Sequence, residues 1–164
     1  MGPRLAFTLS LTIIQAHSEA EIGDARALFQ EYAASLHFDL CFQGFAEELA
    51  GLPGAYAPPQ GRLLLAKASS RTAGCVALRR IDGETGELKR LYVRPGFRGQ
   101  GVGRALAAKA IEEARAAAYR RVRLDTLASM TEAQSLYRSL GFYTIEPYRH
   151  NPVPGAVFLE LAFP

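Results

Sequence analysis

The sequence predicts an α+β domain built on a single mixed, mostly antiparallel twisted sheet flanked by helices. Three observations lead there. Residues 62–67 and 72–80 are apolar runs joined by a polar turn at 68–71, the pattern of a β-hairpin. Residues 87–119 read as strand, turn, glycine-spaced loop and helix. Residues 142–148 and 156–163 then supply two closing strands. With 164 residues, 49% of them apolar, the chain is long enough for one domain with a real core, spanning 1–164 with its core at about 9–163.

Taken in order, Leu5, Phe7, Leu9, Leu11 and Ile13 alternate over 5–14 as an opening strand. A helix follows over 18–36, where Ile22, Ala25, Leu28, Phe29 and Tyr32 recur at helical spacing and Tyr32 is read as core. Residues 37–45 are irregular and aromatic, and 45–52 form a second short helix. Residues 51–61, rich in Gly and Pro, make a loop expected to be mobile, and its length in a compact domain hints at function. After the hairpin, Asp82-Gly83-Glu84-Thr85-Gly86 turns the chain into the central strand, which Pro95-Gly96 stops. The helix ending at Tyr119 puts Leu106, Ala107, Ala110, Ile111 and Ala114 on one arc and Arg104, Ala108, Glu112 and Arg115 on the other. Its alanines imply close packing on the sheet. Val122, Leu124 and Thr126 make the next strand. The last helix is capped by Ser129 or Thr131 and ends at Gly141, the usual place for a left-handed residue. An exposed edge near 156–163 would permit a homodimer through sheet pairing.

Composition narrows the function classes. The net charge is +3, with a pI near 9.0, but the basic residues are scattered and Trp is absent, so no nucleic-acid partner is expected. Arg120, Arg121 and Arg123 read as a solvated strand entry. Arg90, Arg94, Arg98 and Arg104 suit a small polyanionic ligand. No apolar run is long enough to cross a bilayer, and Thr8, Ser10, Thr12 and Gln15 interrupt the N-terminal stretch, so neither membrane nor signal peptide is expected. Cys41 and Cys75 have no metal or redox spacing and read as small buried residues of a reducing cytoplasm. No metal is expected.

The glycine-spaced loop holds the chemistry. A helix start offers unpaired N–H groups and the positive end of the macrodipole. Gly99, Gly101 and Gly103 let phosphate oxygens approach those groups, with Arg98 and Arg104 on either side. A P-loop would need Gly-Lys-Ser/Thr, which is missing. A dinucleotide fingerprint gains support from Asp125 at ribose-binding spacing, but its third glycine is replaced by Arg104 or Leu106. The spacing that fits is Arg98-x-x-Gly101-x-Gly103. Together with Leu91-Tyr92-Val93-Arg94-Pro95 and Leu136-Tyr137-Arg138-Ser139-Leu140-Gly141-Phe142, it resembles the GNAT superfamily of N-acetyltransferases. The plainer reading of the loop is a turn that only admits tight helix–sheet packing.

The resemblance implies the acyl-CoA N-acyltransferase fold, acetyl-CoA as cosubstrate and a cleft between the fourth and fifth strands. By motif position, the backbone of Leu91, Tyr92 and Val93 would hold the acetyl and pantetheine portion. Arg98, Gly99, Gln100, Gly101, Val102, Gly103 and Arg104 would hold the pyrophosphate. Tyr137 stands where the family often places a general acid; the plainer reading is a core tyrosine. Glu87 is the leading candidate base, against a strand-entry glutamate paired with Lys89 or an arginine. Met130 replaces an Asn common in relatives, which puts the orientation of Tyr137 in question. Phe38, Phe42, Gln43 and Arg149 fall in regions that would shape the acceptor pocket, Arg149 as a carboxylate ligand. The implied activity is direct acetyl transfer in a ternary complex to a primary amine of a small, amino-acid-like or peptide molecule. The alternative is a non-catalytic acyl-CoA-binding sensor.

Overall fold

A computed structural model describes residues 10–164. Seven strands form one sheet: β1 (Leu11–Gln15), β2 (Arg62–Ala68), β3 (Arg71–Arg80), β4 (Thr85–Val93), β5 (Arg121–Leu127), β6 (Tyr143–Ile145) and β7 (Ala156–Ala162). Their spatial order is β1-β2-β3-β4-β5-β7-β6. Every neighbouring pair is antiparallel except β4 and β5. A parallel pair needs a crossover, and helix α3 (Val102–Ala116) supplies it. The other helices are α1 (Glu19–Ser35), α2 (Phe45–Ala50) and α4 (Thr131–Ser139). Of the opening strand expected over 5–14, residues 5–9 lie outside the described residues.

Each element forms where its local chemistry favours it. Ser18 Oγ accepts the Glu21 amide at 3.1 Å while Glu21 Oε1 accepts the Ser18 amide at 3.0 Å, a closed capping box that starts α1. Ser69 and Ser70 close the β2–β3 hairpin, and Gly141, at φ 103°, follows the end of α4. Strand side chains alternate between two layers. Leu64, Val76, Leu78, Leu88, Val122 and Leu124 pack with Leu106 and Ala110 of α3. Leu63, Leu65, Cys75 and Ala77 pack on the opposite face with Ile22, Leu28 and Phe29 of α1. The period of two in β2 and β3 therefore feeds two apolar layers, which explains why both strands read as nearly continuous apolar runs.

The structure corrects four expectations. β7 is paired on both sides, so residues 156–163 are interior, and the sheet ends instead on three-residue β6. The loop at 51–61 is tied down: Leu52 and Tyr56 are buried, and Tyr56 meets Phe29 edge-on with ring centroids 6.0 Å apart. Cys41 is exposed, and only Cys75 is buried. Neither Ser129 nor Thr131 caps α4; its N-cap is Met130, with no side-chain cap bond. Gln134 instead reaches back to the Leu127 carbonyl at 2.8 Å.

Candidate active site

The site begins where the sheet comes apart. β4 and β5 are in register only over Thr85–Glu87 and Arg121–Arg123, yet both strands continue, to Val93 and Leu127. Beyond Glu87 they diverge and leave a cleft. β4 is further reshaped by a bulge: Cys75 faces Tyr92 and Ala77 faces Lys89, so Val76 stands opposite both Arg90 and Leu91, and Arg90 takes φ 61°. The bulge is held by Arg90 donating to Glu48 from Nε at 2.8 Å and Nη2 at 3.1 Å, both side chains being nearly buried.

At the wide end of the cleft lies the start of α3. Its N-cap is Gly101 at φ 81°, with no side-chain cap bond, in contrast to the closed box of α1. Gly99 lies at φ 76°. A Cβ at either glycine would meet nothing within 4 Å, so what demands glycine there is the backbone angle, and the space above each is open. The amides from Gly99 to Arg104 have no protein acceptor among the described residues. Beside them is a cavity of about 350 Å³ lined by Leu91, Tyr92, Val93, Arg98, Gly101 and Gly103 among others. This run of convergent N–H donors with one adjacent guanidinium fits a diphosphate. Arg98 donates from Nε to the Val93 carbonyl at 3.0 Å and lies over the Tyr92 ring. Arg104 turns away to Ser139 at 2.7 Å, and Gln100 is exposed; neither lines this cavity. Two arginines assigned to the ligand on charge alone are occupied elsewhere: Arg90 by Glu48 and Arg94 by Glu31.

A second cavity of about 100 Å³ lies deeper between the diverging strands and shares Tyr32, Leu91, Met130 and Ala133 with the first. Tyr137 lines it. The ring is buried against Phe142, and burial, reinforced by Tyr32 and Asp125 nearby, raises the phenol above its ordinary value, so it keeps its proton at neutral pH. Met130 faces both cavities, and its sulfur takes a contact from the Thr126 hydroxyl at 3.6 Å. Phe38 and Gln43 line the deeper cavity, whereas Phe42 and Arg149 do not.

Glu87 is fully buried and saturated by donors. Oε1 accepts Arg79 Nε at 2.8 Å and Arg149 Nη2 at 2.9 Å, while Oε2 accepts the Tyr148 hydroxyl at 2.7 Å. Lys89 is not among its partners. With two guanidiniums on one carboxylate, this cluster carries a surplus positive charge.

Of the residues lining the deeper cavity, Lys89, Asp125 and Tyr32 were assigned no place in the acetyl-transfer site from sequence, and Asn151 entered only as part of the acceptor-side segment 148–152. Lys89, 6% exposed, donates to Gln43 Oε1 at 2.9 Å. Burial lowers it to about 7, an effect opposed by Glu87 and reinforced by Arg90, Arg79 and Arg149. Asp125, weighed only as a ribose ligand, accepts Asn151 Nδ2 at 3.0 Å, and both line the cavity. Tyr32, read as core, reaches both cavities. A lysine flanked by Leu88 and Arg90 in a strand buried on both faces was a usable signal for the first; Tyr32 had none. Among the described residues no helix is long and apolar enough to cross a membrane, and no group of three or more side chains could hold a metal ion.

A parallel strand pair splayed beside an uncapped, glycine-spaced helix start defines an acyl-CoA N-acyltransferase. The model of the acetyltransferase (GNAT) family matches residues 24–142, and this chain belongs to that family. It is similar to an uncharacterized N-acetyltransferase of Schizosaccharomyces pombe, 41% identical over 86% of this chain and 88% of the relative. It is also similar to the N-acetylaspartate synthetase of Danio rerio, 34% identical over 66% of this chain and 39% of that protein. Among solved structures, a putative acetyltransferase of Salmonella typhimurium with its cofactor acetyl-CoA superposes with a TM-score of 0.65, at 21% identity over 93% of this chain and 94% of that one.

Proposed function

We propose that the protein transfers an acetyl group from acetyl-CoA directly to the primary amine of a small, carboxylate-bearing acceptor, both substrates being bound together. The observation that carries this reading is that two adjoining cavities share four lining residues, one lying beside the free amides at the head of α3 and the other against the Tyr137 side chain. The amides of 99–104 bind the diphosphate, and the unpaired edge of β4 at Leu91–Val93 takes the pantetheine arm as an added strand. The thioester supplies the activated acetyl group. Tyr137 hands its proton to the departing sulfur, a modest demand for a thiol of ordinary pKa about 8.5. Neither cysteine lines the deeper cavity, which supports direct attack by the amine.

The positive surplus at Arg79, Arg149 and Glu87 supports an acceptor bearing a carboxylate, and the relative named as an N-acetylaspartate synthetase supports one of the amino-acid kind. Three donors, two of them guanidiniums, already occupy both oxygens of Glu87, so its role here is to position Arg149 and Tyr148. The test is release of free thiol from acetyl-CoA against a panel of amino acids, alkylamines and short peptides. Turnover with amino acids is the expected result; thiol release with no amine dependence contradicts the reading.

A further inference from the structure

Direct transfer requires the acceptor to arrive as, or become, a neutral amine, and Glu87 is poorly placed to accept its proton. We propose that Lys89, as the free base, is the residue that deprotonates the acceptor ammonium; the proposal rests on the acetyl-transfer reading above. The geometry singles this residue out. Among the basic side chains clustered at the narrow end of the cleft, Arg79 and Arg149 are bound to Glu87, Arg90 to Glu48, and Arg123 to Glu160. Lys89 alone in that cluster has no carboxylate partner. Its single hydrogen bond is to the neutral amide oxygen of Gln43, and its side chain faces the same cavity as Tyr137.

The surroundings favour the neutral form. Glu87 and Arg90 flank Lys89 on β4, Arg79 approaches from β3, and Arg149 and Tyr148 from the segment between β6 and β7. Glu48 of α2 is engaged by Arg90, while Asp125 of β5, Tyr32 of α1 and Tyr137 of α4 complete the cavity wall. Burial is the chief cause and lowers Lys89 to about 7; Glu87 opposes it, and Arg90, Arg79 and Arg149 add to it. A base of that strength is matched to work near neutrality, and Asp125, the carboxylate on the same cavity wall, is already engaged by Asn151.

The protons balance. Lys89 Nζ takes one from the acceptor ammonium, and the freed lone pair bonds to the thioester carbonyl carbon. The C–S bond breaks with its electron pair on sulfur, which takes the Tyr137 proton. The tyrosinate recovers a proton from the nitrogen, now an amide, and Lys89 returns its own to solvent.

The experiment compares wild type, Lys89→Met, Lys89→Gln and Asp125→Asn across pH. Two acceptors are used: the fastest amine of the panel, and semicarbazide, whose nucleophilic nitrogen carries no proton at neutral pH. Wild type should show kcat/KM for the amine rising with pH through about 7. Both Lys89 variants should lose that limb and about 10²–10⁴-fold in rate with the amine, while acetylating semicarbazide within severalfold of wild type. Asp125→Asn should keep the limb, and acetyl-CoA affinity by calorimetry should be unchanged in all Lys89 variants. Retention of the limb in the Lys89 variants, its loss in Asp125→Asn alone, or equal losses with amine and semicarbazide would overturn the assignment to Lys89 while leaving acetyl transfer standing. Failure of wild type to acetylate any amine or semicarbazide would remove both.

Discussion

At the scale of single residues, Tyr137 is the clearest test of the chemistry. Its ring is packed and its phenol held protonated by burial, so removing the hydroxyl alone should leave the fold intact. Tyr137→Phe should lower kcat by about ten- to a thousandfold with acetyl-CoA affinity unchanged; an unchanged kcat would return the residue to a purely packing role. Lys89 makes a separate prediction about stability. Its folded value near 7 lies below the ordinary 10.5, so between those values the unfolded chain binds a proton that the folded chain does not. Stability should therefore gain from this residue as pH rises from about 7 towards 10.5, and Lys89→Met should flatten that part of the wild-type curve in urea melts. These two residues also mark what a sequence can give. Tyr137 sits in a motif with fixed spacing, so its placement was readable. Lys89 lies in a strand whose burial on both faces the sequence hints at, but its bond to distant Gln43 and its lack of a carboxylate partner are set by the fold.

At the scale of elements, the start of α3 is the part most legible in the chain. Alternating glycines, a preceding strand and an alanine face on one arc translate directly into an uncapped helix docked on the sheet, because each feature is local. Gly101 should tolerate no side chain. Its φ of 81° costs an L-residue about 1–2 kcal/mol, and a branched chain would stand in the open space above the amides. Gly101→Val should weaken acetyl-CoA binding at least tenfold by calorimetry; an affinity within twofold of wild type would show that the loop serves packing alone. The acceptor side was less legible. The segments around Phe38–Gln43 and Tyr148–Asn151 are irregular, and residues of both meet at one cavity where β4 and β5 diverge after Glu87 and Arg123. Strand divergence has no sequence period. The same limit explains the misplaced sheet edge: residues 156–163 read as a strand, but only three-dimensional order reveals that β6 lies outside them.

At the scale of the whole molecule, two apolar layers pack on either side of one sheet, and among the described residues the cleft lies where β4 and β5 part. Ligand binding should therefore stabilise the whole fold. Acetyl-CoA at about 100 times its Kd adds about 2.7 kcal/mol, which for a chain of this size is roughly 5–10 °C in Tm, and NAD should add nothing. An equal rise with NAD would revive the dinucleotide reading that Asp125 once supported. The central claim is that the diphosphate of acetyl-CoA is held by the bare amides at the head of α3. Amide ¹H–¹⁵N spectra during titration with acetyl-CoA test it most directly. The largest shifts should fall on Gly99, Gln100, Gly101, Val102 and Gly103, with Leu91–Val93 next; saturation that leaves those amides in place while others move would contradict the account.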